Sequence, residues 1–78
     1  MEQQKIGHHY FEAISEQDRE GMAHLIRHTG EVEDLCAKAK AGEEATFRTS
    51  DGVRFRVILG RETSEGHVYE VVYQGRHQ

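Results

Sequence analysis

Hydrophobic residues recur at helical spacing near the start of the chain. In "KIGHHYFEAI", Ile6, Tyr10 and Ile14 lie four residues apart. This spacing places them on one face of a helix. The pattern therefore predicts a first amphipathic helix over residues 4–14, although Gly7 weakens its start.

A capping pattern and an apolar stripe indicate a second helix. In "SEQD", the side chain of Ser15 can accept a hydrogen bond from the amide of Asp18, and the side chain of Asp18 can accept one from the amide of Ser15. This reciprocal cap predicts a break in the chain followed by a helix over residues 16–28. One continuous helix is the alternative. The predicted core stripe of the second helix is Met22, Leu25 and Ile26.

The segment "GEVEDLCAKAKAG" has the strongest helical pattern in the chain. Its acidic residues lie in the first turn and its lysines in the last turn, as the helix dipole favours. The apolar face predicted for this third helix consists of Val32, Leu35, Cys36 and Ala39. Cys36 is the only cysteine, so an intrachain disulfide is excluded and a reducing compartment is favoured. Its expected role is that of a core residue.

After the third helix the apolar period changes from 3.6 to 2. The rest of the chain alternates between apolar and polar residues, is rich in β-branched and aromatic residues, and is broken at "SDG" and at "ETSEG". Three antiparallel strands are therefore predicted. The elements together predict one α+β domain over residues 1–78, in which two or three N-terminal helices pack on one face of a three-stranded antiparallel β-meander.

The first hairpin of this meander determines which side chains share a face of the sheet. A three-residue loop pairs Phe47 with Phe55 and keeps one face apolar, whereas a two-residue loop mixes charged and aromatic side chains on both faces. The loop is therefore expected to consist of residues 50–52, with Gly52 at positive φ. A five-residue loop over residues 62–66 completes the meander.

In this register, the arginines of "FRTSDGVRFRV" form one cluster on the face of the sheet away from the helices. Arg48 lies opposite Arg54, which opposes strand pairing unless an anion or an acidic partner lies across them. Aliphatic residues share this face, and a mixture of arginine and aliphatic side chains is typical of protein interfaces. The alternative is that the arginines only keep the sheet soluble, with Glu70 neutralising Arg56. The predicted partner-binding residues are Arg48, Arg54, Arg56, Ile58, Glu70 and Val72.

Charge limits the function classes. The net charge is −4 and is unevenly distributed, since residues 1–37 carry eight acidic and three basic residues, whereas residues 38–78 carry six acidic and seven basic ones. Overall acidity argues against nonspecific nucleic-acid binding as the main role. The start of the chain lacks the apolar core of a signal peptide, and no long apolar run follows. A cytoplasmic protein that does not bind membranes is expected.

Candidate catalytic and metal-binding residues are few. His24 and His28 lie four residues apart in the predicted second helix, a spacing that can place two imidazoles on one ion. A helical wheel puts them opposite the apolar stripe, so they are expected to face solvent, and no metal or other cofactor is predicted. No motif links a serine, threonine or cysteine to a base, so no catalytic residues are predicted.

The sequence favours a small non-enzymatic protein-binding module, such as an adaptor or an inhibitor of a larger assembly of the kind that phages and mobile elements encode. A nucleic-acid-binding regulator that uses the arginine face or the hairpin is the first alternative. A winged helix-turn-helix is disfavoured because the third helix begins with acidic residues, which phosphates repel. An RNA-cleaving toxin is the more remote alternative, with Tyr73, Arg76 and His77 as its acid–base groups.

The first predicted strand, "ATFRT", contains no proline or lysine that would protect its edge. An unprotected edge favours pairing with another strand. A homodimer that forms through this edge or through the open side of the sheet is therefore a further expectation.

Overall fold

The computed structural model describes residues 2–64 and 66–76 of the chain. Within them, five strands and two helices follow one another in the order β1, β2, α1, α2, β3, β4, β5. The strands are β1 Glu2–Ile6, β2 His9–Ala13, β3 Thr46–Arg48, β4 Val53–Thr63 and β5 Gly66–Arg76. The helices are α1 Glu16–Arg27 and α2 Val32–Lys40, joined by a 3₁₀ turn, Thr29–Glu31.

All five strands belong to one mixed sheet in the order β1-β2-β5-β4-β3. Neighbouring strands are antiparallel except β2 and β5, which run parallel. The predicted fold class of two or three N-terminal helices on a three-stranded antiparallel meander is therefore wrong. The fold is α+β with two helices and a five-stranded mixed sheet, because an N-terminal hairpin extends the meander of β3, β4 and β5.

Residues 2–13 form this hairpin rather than the predicted helix. Gly7 has a φ of 64°, which suits the first position of a tight two-residue turn and not a helix interior. Beyond the turn, Phe11 and Ala13 are fully buried, two residues apart, as the period of a strand requires. Ile14, counted in the helical pattern with Ile6, is 60% exposed. The segment thus follows the period of a strand and not the helical spacing of Ile6, Tyr10 and Ile14.

The second and third predicted helices are present as α1 and α2. At the start of α1 the predicted cap is confirmed: Oγ of Ser15 accepts a hydrogen bond from the amide of Asp18, and Oδ2 of Asp18 accepts one from the amide of Ser15, both at 3.2 Å. In α2 the predicted residues Val32, Leu35 and Cys36 are buried.

The buried stripe of α1 differs from the prediction. Met22 and Leu25 are buried, but Ile26 is 48% exposed. The helix instead approaches the sheet at Gly21, where a β-carbon would lie only 2.6 Å from Cδ1 of Phe55. The buried face of α1 is therefore formed around Gly21, Met22 and Leu25, and Ile26 lies outside it.

A side-chain hydrogen bond attaches the start of α1 to the sheet. Strand β2 pairs with β5 only at residues 68–70 of β5. Farther along β5, the amide of Tyr73 donates a 2.8 Å hydrogen bond to Oδ1 of Asp18, which is 9% exposed. Asp18 therefore caps its own helix and also satisfies a backbone donor of the sheet.

The predicted register of the meander is confirmed through most of its length. Phe47 pairs with Phe55, and Phe55 pairs with Tyr73. Gly52 has the expected positive φ, at 84°. The five-residue loop over residues 62–66 is wrong, because a register shift between Leu59 and Glu62 lets β4 and β5 pair as far as Thr63 and Gly66.

The helices and the core lie on one face of the sheet. The core cluster takes residues from both helices and from all five strands, including Ile6, Phe11, Met22, Leu25, Val32, Leu35, Phe47, Phe55, Val57 and Val71. Within the described ranges, neither helix has the length and apolar character needed to cross a bilayer.

Candidate functional site

The face of the sheet opposite the helices is called the open face below. Strand registers and side-chain contacts place one set of side chains on it, from all five strands: Lys5, Tyr10, Glu12, Thr46, Arg48, Arg54, Arg56, Ile58, Arg61, Val68, Glu70 and Val72. The three predicted arginines are exposed, and the aliphatic side chains beside them are half-buried or buried. The open face thus combines accessible positive charge with apolar area.

All six predicted partner-binding residues lie on the open face. Arg48 is opposite Arg54, as the three-residue loop required, and Arg56 is opposite Val72. The remaining two, Ile58 and Glu70, are opposite each other. The structure therefore brings the predicted set together, and its role in binding stays a prediction.

The arginines of this set lack internal counterions. Within the described part of the chain, Arg48, Arg54 and Arg56 form no salt bridge. In particular, no salt bridge joins Arg56 to Glu70, which was the expected neutralisation. A shallow depression of about 290 Å³ at this end of the sheet is lined by Thr46, Phe47, Arg48 and Arg54. The guanidinium groups are thus available to an external anionic group.

A salt bridge on the open face was not foreseen from the sequence. Glu12 is only 8% exposed, and its Oε1 contacts Nη2 of Arg61. Because β5 lies between β2 and β4, the Arg61 side chain crosses β5 to reach Glu12. Arg61 lies in the register shift of β4, next to Gly60. Gly60 packs so closely on β5 that a β-carbon on it would lie 2.7 Å from the carbonyl oxygen of Val68. The pair was missed because Glu12 was placed in a helix.

Two titratable side chains of the covered face, Cys36 and Tyr69, are buried in the core. Burial, together with the nearby carboxylate of Glu33, raises the pKa of the Cys36 thiol to about 12. Burial first, and then Cys36 and Glu33, also raise the pKa of Tyr69. Neutral forms of both side chains are therefore favoured. Cys36 is a protonated core thiol rather than a nucleophile.

Of the groups named for RNA cleavage, only Tyr73 has its side chain among the described residues, and it does not lie with the arginines. Tyr73 lies on the covered face, where its ring makes an edge contact with Phe55 at 5.9 Å between centroids. The side chain of Arg76 and the whole of His77 lie outside the described residues. Only Tyr73 can be placed, and it is separated by the sheet from the arginines of the open face.

The two helical histidines differ from each other in environment. His28 is exposed, as predicted. His24 is not solvent-facing: its side chain is 12% exposed, and its ring stacks on Phe47 at 5.3 Å between centroids. The helical wheel predicted burial only for the apolar stripe of α1. Because β3 also contacts the side of α1 near the C-terminal end of this helix, His24 is covered as well.

Comparison of the chain with known protein families, with the curated proteins and with the solved structures found no match.

Proposed function

We propose that this chain is a small non-enzymatic protein-binding module whose open face binds an acidic, partly apolar segment of a protein partner. One observation carries the proposal. Three arginines, Arg48, Arg54 and Arg56, form no salt bridge with any described residue, and they lie beside the half-buried aliphatic side chains of Ile58 and Val72 on the face that the helices leave uncovered.

The charge of the open face indicates the sign of the charge that a partner should carry. Among the side chains that the structure describes, it carries five basic ones, those of Lys5, Arg48, Arg54, Arg56 and Arg61, and two acidic ones, those of Glu12 and Glu70. The face is therefore positive by three charges, although the whole chain has a net charge of −4. A surface of this kind attracts an acidic partner and orients it before contact.

The aliphatic side chains favour a protein over a nucleic acid. Ile58 and Val72 gain from burial only against an apolar surface, which a phosphate backbone does not offer. Arginine beside apolar side chains is a common composition for the centre of a protein interface. Within this class we favour an adaptor or an inhibitor of a larger assembly, of the kind that phages and mobile elements encode, acting in the cytoplasm.

A nucleic-acid-binding regulator is the second candidate. The basic excess of the open face favours it, since phosphate contacts are made mainly by arginine and lysine. Glu12 and Glu70 on the same face disfavour it. A homodimer is a separate proposal, and β3 suits it because this strand lies at the edge of the sheet.

The test combines charge reversal with nuclease treatment. Wild-type protein and the Arg48→Glu/Arg54→Glu double variant are used to capture partners from a lysate of the native host, with and without nuclease. We expect a specific protein to be retained by the wild type after nuclease, and its affinity for the double variant to fall by at least about ten-fold. Both arginines are exposed, so circular dichroism should be unchanged.

A second double variant serves as the matched control. Glu16→Lys/Glu20→Lys also reverses two exposed charges, but on α1. It should keep wild-type affinity for the captured protein. Wild-type affinity in the arginine variant would contradict the proposal, and loss of all capture after nuclease would favour the nucleic-acid alternative.

A further inference from the structure

Three potential metal ligands meet where α1 ends. His24 and His28 come from the last turn of the helix and its cap, and Glu31 ends the 3₁₀ turn that follows. One ligand atom from each lies within 4.8 Å of the other two. Nε2 of His24 and Oε2 of Glu31 are 3.2 Å apart. Two ligands on a tetrahedral zinc ion, with bonds of about 2.0–2.1 Å, are separated by about 3.3 Å, so this pair needs almost no movement to bind one ion.

The ring of His28 is held in the tautomer that binds metal through Nε2. Its Nδ1 lies 3.0 Å from the main-chain carbonyl oxygen of His24. A carbonyl oxygen can only accept, so Nδ1 donates its proton and Nε2 keeps a free lone pair. Histidines that bind metals are usually oriented by this kind of hydrogen bond from the second ring nitrogen. This contact is independent of the spacing of the three ligands.

The ring of His24 stacks on the rings of Phe47 and His28. Its centroid is 5.3 Å from that of Phe47 and 4.2 Å from that of His28, with interplanar angles of 16° and 20°. An imidazole binds a metal through a lone pair in the plane of its ring, so the nearly parallel rings of His24 and His28 must turn toward each other for both to bind one ion. The end of α1 adds a favourable potential, because the carbonyl end of a helix attracts cations.

Space for a further ligand lies beside the histidines. A cavity of about 240 Å³ is lined by both of them and also by Glu20, Thr49, Ser50 and Asp51. A cavity of this size and polarity accommodates a water molecule. Its acidic side chains favour a cation, while Arg27, which lines the same cavity, opposes one.

We propose that His24, His28 and Glu31 bind a divalent transition-metal ion, with Zn²⁺ as the best fit and water as the fourth ligand. Two imidazoles and one carboxylate are ligands that zinc accepts, whereas Mg²⁺ and Ca²⁺ require a shell of oxygens. In the metal-free protein, Nε2–H of His24 donates to Glu31. When the ion binds, neutral His24 changes tautomer: the proton leaves Nε2 and Nδ1 takes one up through solvent, so that the Nε2 lone pair binds the ion. The ion connects α1 to the 3₁₀ turn and does not involve the open face.

The test measures zinc binding by the full chain. Isothermal titration with Zn²⁺ should show saturable binding of one ion, and Mg²⁺ should show none. His24→Gln, His28→Gln and Glu31→Gln should each weaken zinc binding by at least about ten-fold, because even loss of an outer contact to a ligand costs that much. His8→Gln, an exposed histidine in the β1–β2 turn, is the matched control and should bind zinc as the wild type does.

Three outcomes would overturn the proposal. The first is a wild-type chain that shows no saturable zinc binding. The second is a Glu31→Gln variant that binds zinc as tightly as the wild type. The third is a His8→Gln variant that loses as much zinc affinity as the other three variants. Glu31 is exposed, so its replacement tests the site even if a His24 variant fails to fold. Substitution of Co²⁺ adds a direct readout, since its visible absorption should show a four-coordinate site in the wild type and lose it in Glu31→Gln.

Discussion

Replacement of Asp18 by alanine should lower the free energy of unfolding by about 3 kcal/mol. Loss of the acceptor for the amide of Ser15 accounts for about 1 kcal/mol of this. The rest arises because the amide of Tyr73 loses its acceptor, and an unsatisfied donor that is withdrawn from water costs about 1–3 kcal/mol. Urea denaturation followed by circular dichroism measures the change. The free energy of unfolding of a domain of this size is small, so part of the variant should be unfolded in buffer.

Two further variants separate the cap from the contact with the sheet. Ser15→Ala removes only the reciprocal half of the capping box, in which Oγ of Ser15 accepts from the amide of Asp18, and should cost about 1 kcal/mol. Asp18→Asn keeps an oxygen for the amide of Tyr73 but loses the second acceptor, so its cost should lie between the other two. If Asp18→Ala costs no more than Ser15→Ala, the hydrogen bond from Tyr73 does not hold α1 on the sheet.

Replacement of Gly21 by alanine should destabilise the fold by at least about 2 kcal/mol, even though alanine favours a helix over glycine by about 1 kcal/mol. A β-carbon at this position would lie 2.6 Å from Cδ1 of Phe55 and 2.8 Å from Cγ1 of Val71. Both side chains are fully buried in the centre of the core and cannot move aside without displacing their neighbours. Helix α1 must therefore move away from the sheet.

Gly30→Ala is the matched control for this substitution. Gly30 lies in the 3₁₀ turn, where a β-carbon would meet no atom within 4 Å and the backbone is not at positive φ. This variant should be as stable as the wild type or slightly more stable. Equal stability of Gly21→Ala and Gly30→Ala in urea denaturation would contradict the close packing of α1 on β4 and β5.

Local patterns in the sequence were sufficient for the positions of α1 and α2 and for the first hairpin of the meander. The cap formed by Ser15 and Asp18 depends on residues three apart, and the pairing of Phe47 with Phe55 follows from the length of one loop. The arginine face follows from the same loop, because each strand residue points to the side opposite its neighbour's. These features need no knowledge of the rest of the chain.

The N-terminal hairpin and its place in the sheet depend on distant contacts. A short apolar pattern such as that around Phe11 fits a helix or a strand, and what decides is the parallel pairing of Phe11 with Tyr69, far along the chain. The salt bridge of Glu12 with Arg61 depends on this pairing and on the register shift in β4, so no local pattern predicts it. The position of His24 likewise depends on β3 lying beside α1.

The central claim is that the open face binds the partner, and the four isoleucines of the chain allow it to be tested in one titration. Ile58 lies on the open face, Ile26 is exposed on α1, Ile6 is in the core, and Ile14 is exposed after β2. The measurement is a methyl NMR spectrum of isoleucine-labelled protein during addition of the captured partner. The methyl signal of Ile58 should shift or broaden while that of Ile26 stays unchanged. A change at Ile26 with an unchanged Ile58 would show that the partner binds the helices and not the open face.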